Sequence, residues 1–556
     1  MNKLDRQKKQ ILALERRALN DDVLSAFELF KIYENGVTEK DENGEFIQII
    51  EINYEKADYF LSICNEHLLS KESESCEGLF FNSLFLTDFR KFRALKVKLD
   101  KRLTVFIGDN GAGKTTIIDA VVKTLSWIGP NILRKNSRGK GVNEYDVNNL
   151  SERYAEVKSK LVLKKSVYES ALRKNAKKSQ ENKFSKIEPL EDLGELYRVL
   201  SSKRNIKFAD KFPLPIFLYY SVSRNNIKTN RTFDERNVDV SLDRLTSYDK
   251  KTLDGDADLN GFLEWMVVID NLTGDSIKNK LDESRKLIEG FKLAGADVKE
   301  NPLNEIYINE LTKFEKLSDI AGNKEIYFKK LKFIKSSISN AMPGFEDIYV
   351  DKTSGRAEVM LVIDGQIISI TQASQGQQVI ISLVSDIARK LLTLNPALDN
   401  PLRSPGIVVI DEIELHLHPK WQQNIVDALL KSFECIQFII TTHSPQVLST
   451  IDKNNIRMFV NGDDGEILSV SPNFQTKGVK SADIMAKIMG ADSIPDVQEA
   501  RDVDNFSVLL SNNDIEKAME SLGYLRKHFG NNHPVVLDCE NLIKIHELKA
   551  KINNKG

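Results

Sequence analysis

The stretch Thr104-Val105-Phe106-Ile107-Gly108-Asp109-Asn110-Gly111-Ala112-Gly113-Lys114-Thr115-Thr116 decides the fold of this chain. Its first four residues form a compact apolar run and read as a buried strand. Gly108 to Thr115 then fit the phosphate-loop pattern GxxxxGK[ST] in full, and an apolar-periodic segment, Ile117 to Leu125, follows as a helix. The glycines let backbone N–H groups curl around an anion. The helix behind the loop points its positive end at the same place. Gly108, Asp109, Asn110, Gly111, Ala112, Gly113, Lys114, Thr115 and Thr116 are therefore the expected phosphate-binding residues. Lys114 is expected to neutralise the β- and γ-phosphates, and the Thr115 hydroxyl to bind Mg²⁺.

Three further segments, all downstream, belong to the same chemistry. Ile407-Val408-Val409-Ile410 reads as a buried strand that carries Asp411 and Glu412 to its C-terminal end, where parallel sheets bind ligands. Asp411 fits the magnesium carboxylate of a Walker B element, and Glu412 the residue that activates an attacking water. Phe438-Ile439-Ile440 is another such strand and leads through Thr441-Thr442 to His443. The segment from Trp421 to Phe433 lies between the two strands, with Ile425, Leu429 and Phe433 on one helical face. Strand, crossover helix, strand implies a parallel sheet. Upstream of both, Ser374-Gln375-Gly376-Gln377 opens an apolar helix containing Val379, Ile380, Ile381, Leu383 and Val384.

Working outward, the first 80 residues read as helical, with Ala26, Leu29, Phe30 and Tyr33 in one unit and Tyr54, Ala57, Phe60, Leu61 and Leu68 in another. Two helices around a glycine-containing loop suggest a single Sel1/TPR-like hairpin or a cap. Leu95, Val97 and Leu99 alternate with polar residues, as do Ala155, Val157, Ser159 and Leu161, so both stretches read as strands. Residues 164–186 carry eight Lys/Arg against two Glu and read as a basic helical or mobile insertion. Pro215 to Tyr220 is strand-like, 255–342 is helix-like, and Asp364-Gly365 marks a hairpin turn. Residues after about 478 read as helices. The expected domains are 1–80; 81–475, with a basic insertion at about 164–205 and a helical one at about 225–345; and 476–556.

Composition narrows the function classes. With 41% hydrophobic and 29% charged residues the chain is globular, and its net charge of −2 confines any nucleic-acid contact to local basic patches such as 164–186 or Arg90, Lys91 and Arg93. Four scattered cysteines, none in a Cys-x-x-Cys pair, are expected as reduced thiols. The polar N-terminus and the lack of a long apolar run predict no secretory leader and no membrane span. His416 and His418 could pair on a metal, but no third Cys/His ligand lies nearby in sequence.

In order and content these motifs resemble ABC-type ATPases. Ser374, Gly376 and Gln377 are in register with the signature Leu-Ser-Gly-Gly-Gln, with Ala373 and Gln375 as departures. The wide spacing between Lys114 and Ser374, and the opening Leu84 to Phe92, are similar to ATPases of the RecF, OLD and SMC kind. The pieces Tyr219-Tyr220-Ser221-Val222-Ser223-Arg224, Glu414-Leu415-His416-Leu417-His418-Pro419 and Thr441 to Pro445 resemble the PtuA ATPases of Septu defence systems and their retron-linked relatives. The resemblance implies an α/β fold: an ABC-type P-loop head with mixed and parallel sheets, an inserted helical lobe and helical extensions at both ends. It implies ATP and Mg²⁺ as cofactors, Glu412 and His443 as catalytic residues, and a homodimer in which Ser374, Gly376 and Gln377 meet the nucleotide held by the other subunit. It further implies a cytoplasmic complex with an HNH nuclease and, in retron-linked systems, with a reverse transcriptase and its RNA–DNA product. A RecF-type repair ATPase and an OLD-like ATPase with its own nuclease stay open. No Q-loop glutamine can be placed between Lys114 and Ser374.

Overall fold

A computed structural model describes the chain except residues 1–2, 41–45, 70–75, 77, 181, 206, 226–243, 249, 258, 274, 300, 323, 354–356, 463–465, 491–495 and 554–556. It divides into two compact units, residues 1–479 and 480–556.

The first unit opens with α1 (Lys3–Ala18), α2 (Val23–Asn35) and α3 (Tyr54–Leu69). Ala26, Leu29, Phe30 and Tyr33 of α2 are buried together with Ala57, Phe60 and Leu61 of α3. Gly36, at φ +68°, ends α2. Between α2 and α3 the chain forms an antiparallel ribbon, β1 (Val37–Lys40) and β2 (Phe46–Ile50), where a plain helical hairpin was expected.

β3 (Leu79–Phe89), β4 (Phe92–Lys98), β6 (Tyr154–Leu163) and β7 (Ser166–Asn175) make a four-stranded antiparallel sheet of order β4-β3-β6-β7. β7 is a correction. The start of the basic segment was read as helical or mobile, yet it pairs with β6 along its length, from Leu163 opposite Ser166 to Tyr154 opposite Asn175. Tyr168 and Leu172 are buried on the core side, and the lysines of the segment hid them from a charge count.

Within the unit a six-stranded sheet has the order β15-β14-β5-β13-β12-β8. Its members are β5 (Leu103–Ile107), β8 (Ile216–Tyr220), β12 (Gly406–Ile410), β13 (Ile436–Thr441), β14 (Ile456–Asn461) and β15 (Ile467–Val470). All run parallel except β15. β5, β12 and β13 are buried along their whole length, as their Val- and Ile-rich sequences demand of central parallel strands. Behind the phosphate loop runs α4 (Lys114–Leu125), followed by the short α5 (Gly129–Leu133) and by α6 (Glu188–Leu200).

The inserted lobe comprises α7 (Leu259–Thr273), α8 (Asp275–Leu293), α9 (Asn304–Gly322) and α10 (Lys324–Ala341), then a sheet of β9 (Phe345–Asp351), β10 (Glu358–Ile363) and β11 (Gln366–Ser369). Asp364 and Gly365 make the β10–β11 turn, with both φ positive, as their sequence predicts. α11 (Gln375–Leu394) returns the chain to the parallel sheet, and α12 (Pro419–Gln422), α13 (Ile425–Ser432) and α14 (Pro445–Leu448) connect the last strands.

Two of the four cysteines depart from the expected thiols. Cys76 is bonded to Cys435, while Cys64 and Cys539 are free and buried. The start of β3 docks on β13: Gln437 accepts from the Phe81 N–H at 2.7 Å and donates to its carbonyl at 2.9 Å, which brings the two cysteines together. No sequence spacing could reveal a pair 359 residues apart.

The second unit holds α15 (Ser481–Lys487), α16 (Gln498–Ser511), α17 (Ile515–Phe529) and α18 (Pro534–Asn553). Phe506, Leu510, Ala518, Leu522, Leu525, Val536, Cys539 and Ile543 form its core. No helix among the described residues is long and apolar enough to cross a membrane.

Candidate nucleotide site

Four adjacent parallel strands, β5, β13, β12 and β8, end along one edge of the sheet, and the motif residues follow three of them directly. β5 feeds the phosphate loop. Gly108, Gly111 and Gly113 stand at φ +147°, +79° and +101°, and a Cβ on Gly113 would lie 2.3 Å from the Phe92 ring. Only glycine allows that curl and that approach.

Lys114 is buried, 6% exposed, and its Nζ donates to the carbonyls of Gly108 at 2.7 Å and Asp109 at 3.1 Å. Burial lowers its ammonium below the ordinary lysine value, against the opposing pull of Glu412 and Asp411. The loop lysine and the strand-end acids therefore share one site. Thr115 is exposed on the first turn of α4, and Thr116 is buried beneath it.

Asp411, 4% exposed, accepts from the Thr441 hydroxyl, and its N–H donates to the Tyr220 carbonyl at 2.8 Å. Glu412 stands at φ +47°, a conformation that costs a residue with a side chain, and its N–H donates to Thr441 Oγ1 at 2.8 Å. The His443 loop is held by a residue that sequence reasoning missed. Glu414 accepts from the Thr442 hydroxyl at 2.8 Å and from the His443 N–H at 2.5 Å. Its place two residues past Glu412 was the one available signal.

Ser374 and Gly376 line a different pocket, of about 790 Å³, which has no phosphate-loop residue in its lining. Ser374 caps α11: its hydroxyl takes the Gln377 N–H, and Gln377 Oε1 takes the Ser374 N–H at 2.8 Å. This reciprocal cap spends the Gln377 carbonyl oxygen on the helix end. A Cβ on Gly376 would meet the His416 carbonyl at 2.8 Å and the Trp421 ring at 2.9 Å, so glycine lets the signature turn press onto the next loop. His416, His418 and Trp421 line the same pocket, and His418 Nδ1 accepts from the Lys420 N–H at the start of α12.

β8 brings Ser221-Val222-Ser223-Arg224 to the edge beside Asp411, and that segment contains no glutamine. Arg90, considered above for nucleic acid, is committed elsewhere, with its guanidinium 2.6 Å from Asp119 and 2.9 Å from Asp146. Lys91 Nζ donates to the Gly111 carbonyl of the loop at 2.6 Å.

A phosphate loop, a strand-end Asp-Glu pair and a signature-like helix cap on a mixed α/β head define a P-loop ATPase of the ABC type. The chain belongs to the family described as "AAA domain, putative AbiEii toxin, Type IV TA system", whose profile matches residues 103–449. It is 29% identical over 492 residues to the Retron Vc95 probable ATPase of Vibrio cholerae serotype O1 biovar El Tor, covering 87% of this chain and 90% of that one. It is also 29% identical over 472 residues to the Retron Ec83 probable ATPase of Escherichia coli, covering 82% of each. The Septu protein PtuA of Bacillus mycoides strain KBAB4 is 30% identical over 169 residues, 30% of this chain and 23% of that one.

Proposed function

We propose that this chain is the ATP-hydrolysing subunit of a cytoplasmic antiphage defence complex, in which paired heads control a partner HNH nuclease. The length over which the retron ATPases match supports the defence setting. In the reaction, the phosphate loop and Lys114 hold the β- and γ-phosphates, Glu412 takes the proton of the attacking water, and His443 polarises the γ-phosphate. Thr115 and Asp411 offer a hydroxyl and a carboxylate, the hard oxygen donors that suit Mg²⁺. When bound there, the ion would offset charge on the phosphate oxygens. In a retron setting the complex would also contain a reverse transcriptase and its RNA–DNA product.

The observation that carries the paired arrangement is that Ser374 and Gly376 line a pocket separate from the phosphate loop. Two heads related by a two-fold axis would then build two composite sites, each from one chain's loop and the other's signature. Lys114→Ala and Ser374→Arg chains should each be inactive alone, and mixing them should restore part of the ATP turnover, because one of the two sites in each mixed dimer is intact. Mixed dimers that form without recovering turnover would reject action across the dimer. Co-purification from the native operon, with mass spectrometry of the bound proteins, tests the nuclease assignment.

A further inference from the structure

The outer face of the sheet β4-β3-β6-β7 takes no part in the ATP chemistry, yet its residues are unusual. In one row Lys96 of β4 stands opposite Phe85 of β3, and Phe85 opposite Lys158 of β6. In the next row Lys98 stands opposite Ser83, and Ser83 opposite Lys160. The inner face of the same strands is core, with Leu84, Leu86, Leu95, Val97, Val157 and Leu161 all buried. Lys96, Lys98 and Lys158 are exposed, and none has an acidic partner among the described residues. Toward β7 acids do meet this face: Glu156 pairs with Arg173, Glu169 pairs with Lys160 at 3.4 Å, and Glu28 and Asp192 line a pocket with Lys160.

Two ordinary explanations fall short. Lysines often guard sheet edges against unwanted pairing. Here β3 and β6 are the interior strands, so Lys158 and Lys160 guard no edge, and edge protection accounts only for Lys96 and Lys98 on β4. A solvated charged surface would mix signs, because the chain has 79 Lys and Arg against 81 Asp and Glu. In the middle of the lysines, Phe85 keeps 38% of its surface exposed on a central strand.

Neighbouring strands lie about 4.8 Å apart, so Lys96 and Lys158 flank the ring at about 10 Å from each other, and Lys96 and Lys98 are about 7 Å apart along β4. An exposed aromatic on an antiparallel sheet, ringed by unpaired ammonium groups, is a platform on which an unstacked base lies while its phosphates meet the cations. A duplex hides its base faces and cannot use the ring.

We propose that this sheet face binds single-stranded nucleic acid, with Phe85 stacking on a base and Lys96, Lys98 and Lys158 contacting phosphates. The proposal does not depend on the nuclease assignment. The test is fluorescence anisotropy on the full chain, with labelled oligothymidylate of about 20 nucleotides, oligouridylate of the same length, and a duplex of that length as probes, long enough for a site of ~4–16 nucleotides. Tighter binding of a single strand than of the duplex is expected, and the DNA and RNA arms decide which strand is preferred.

Phe85→Ala should weaken single-strand binding about tenfold, and Phe85→Tyr should restore it. The combined Lys96→Ala, Lys98→Ala, Lys158→Ala variant should reduce the slope of log affinity against log salt by about 2, from roughly 0.7 per phosphate contact. Unchanged thermal unfolding midpoints would show that the variants fold. Wild-type affinity in folded Phe85→Ala and triple-lysine variants, or a duplex bound as tightly as the single strands, would overturn the proposal.

Discussion

Glu412 and Glu414 both follow Asp411 but have different partners. Glu412 stands beside Asp411 with Thr441 fixing its backbone, whereas Glu414 is spent on the Thr442 hydroxyl and the His443 N–H. Removing a general base typically slows turnover about 10²–10⁴-fold. Glu412→Gln should therefore keep ATP affinity by calorimetry and lose turnover on that scale; a normal rate would assign the base elsewhere. Glu414→Ala should act through position, lowering kcat with little change in KM, because the His443 loop loses two anchors. Glu414→Gln keeps an acceptor oxygen and should fall between the two. An unchanged kcat in Glu414→Ala would show that the loop holds itself. Gly108 to Thr115 were legible in sequence because a phosphate loop is a local pattern set by backbone shape. Glu414 was not, because its partners Thr442 and His443 lie in the loop after another strand, β13.

Among elements, α11 is tied to the edge strand β8 through one buried carboxylate. Asp386 accepts from the Tyr220 hydroxyl at 2.8 Å, from Arg389 at 2.8 Å and from Lys390 at 2.7 Å. Burial alone would raise its carboxyl, but Lys390 and Arg389 outweigh burial and hold it below the ordinary 3.8. The folded pKa is depressed, so this group's stabilisation is fully present above 3.8 and is lost as pH falls through the lower folded value. Asp386→Asn leaves two cations near a neutral amide and should cost about 3 kcal/mol at neutral pH. In urea unfolding, the gap between wild type and variant should close on acidification below 3.8; a pH-independent gap would mean that packing alone is lost. The buried strands β5, β12 and β13 were readable as unbroken apolar runs. β7 was not, because the segment it opens reads by its Lys and Arg content, while buried Tyr168 and Leu172 face the core. The apolar residues of α18 also divide: Val536 and Ile543 face the core of their own unit, while Leu542, Ile545 and Leu548 are exposed.

At the scale of the whole chain, the order of the motifs made the ATPase head legible from sequence, since three of them follow strands of one sheet and the signature opens α11. The boundaries of its extensions depend on packing that no motif records. A truncation near residue 530 would remove α18 and strip the core of the second unit, so the informative cut lies at the unit boundary. If the second unit docks the nuclease proposed above, deleting residues 480–556 should leave ATP turnover near normal and abolish capture of that partner in a pull-down; full capture would place the docking surface on the head. The Cys76–Cys435 bond has a separate consequence. It closes a covalent ring that contains the phosphate loop, the inserted lobe, the signature and Asp411. A protease that nicks the inserted lobe would therefore leave the two pieces joined: one band on a non-reducing gel, and two once dithiothreitol is added.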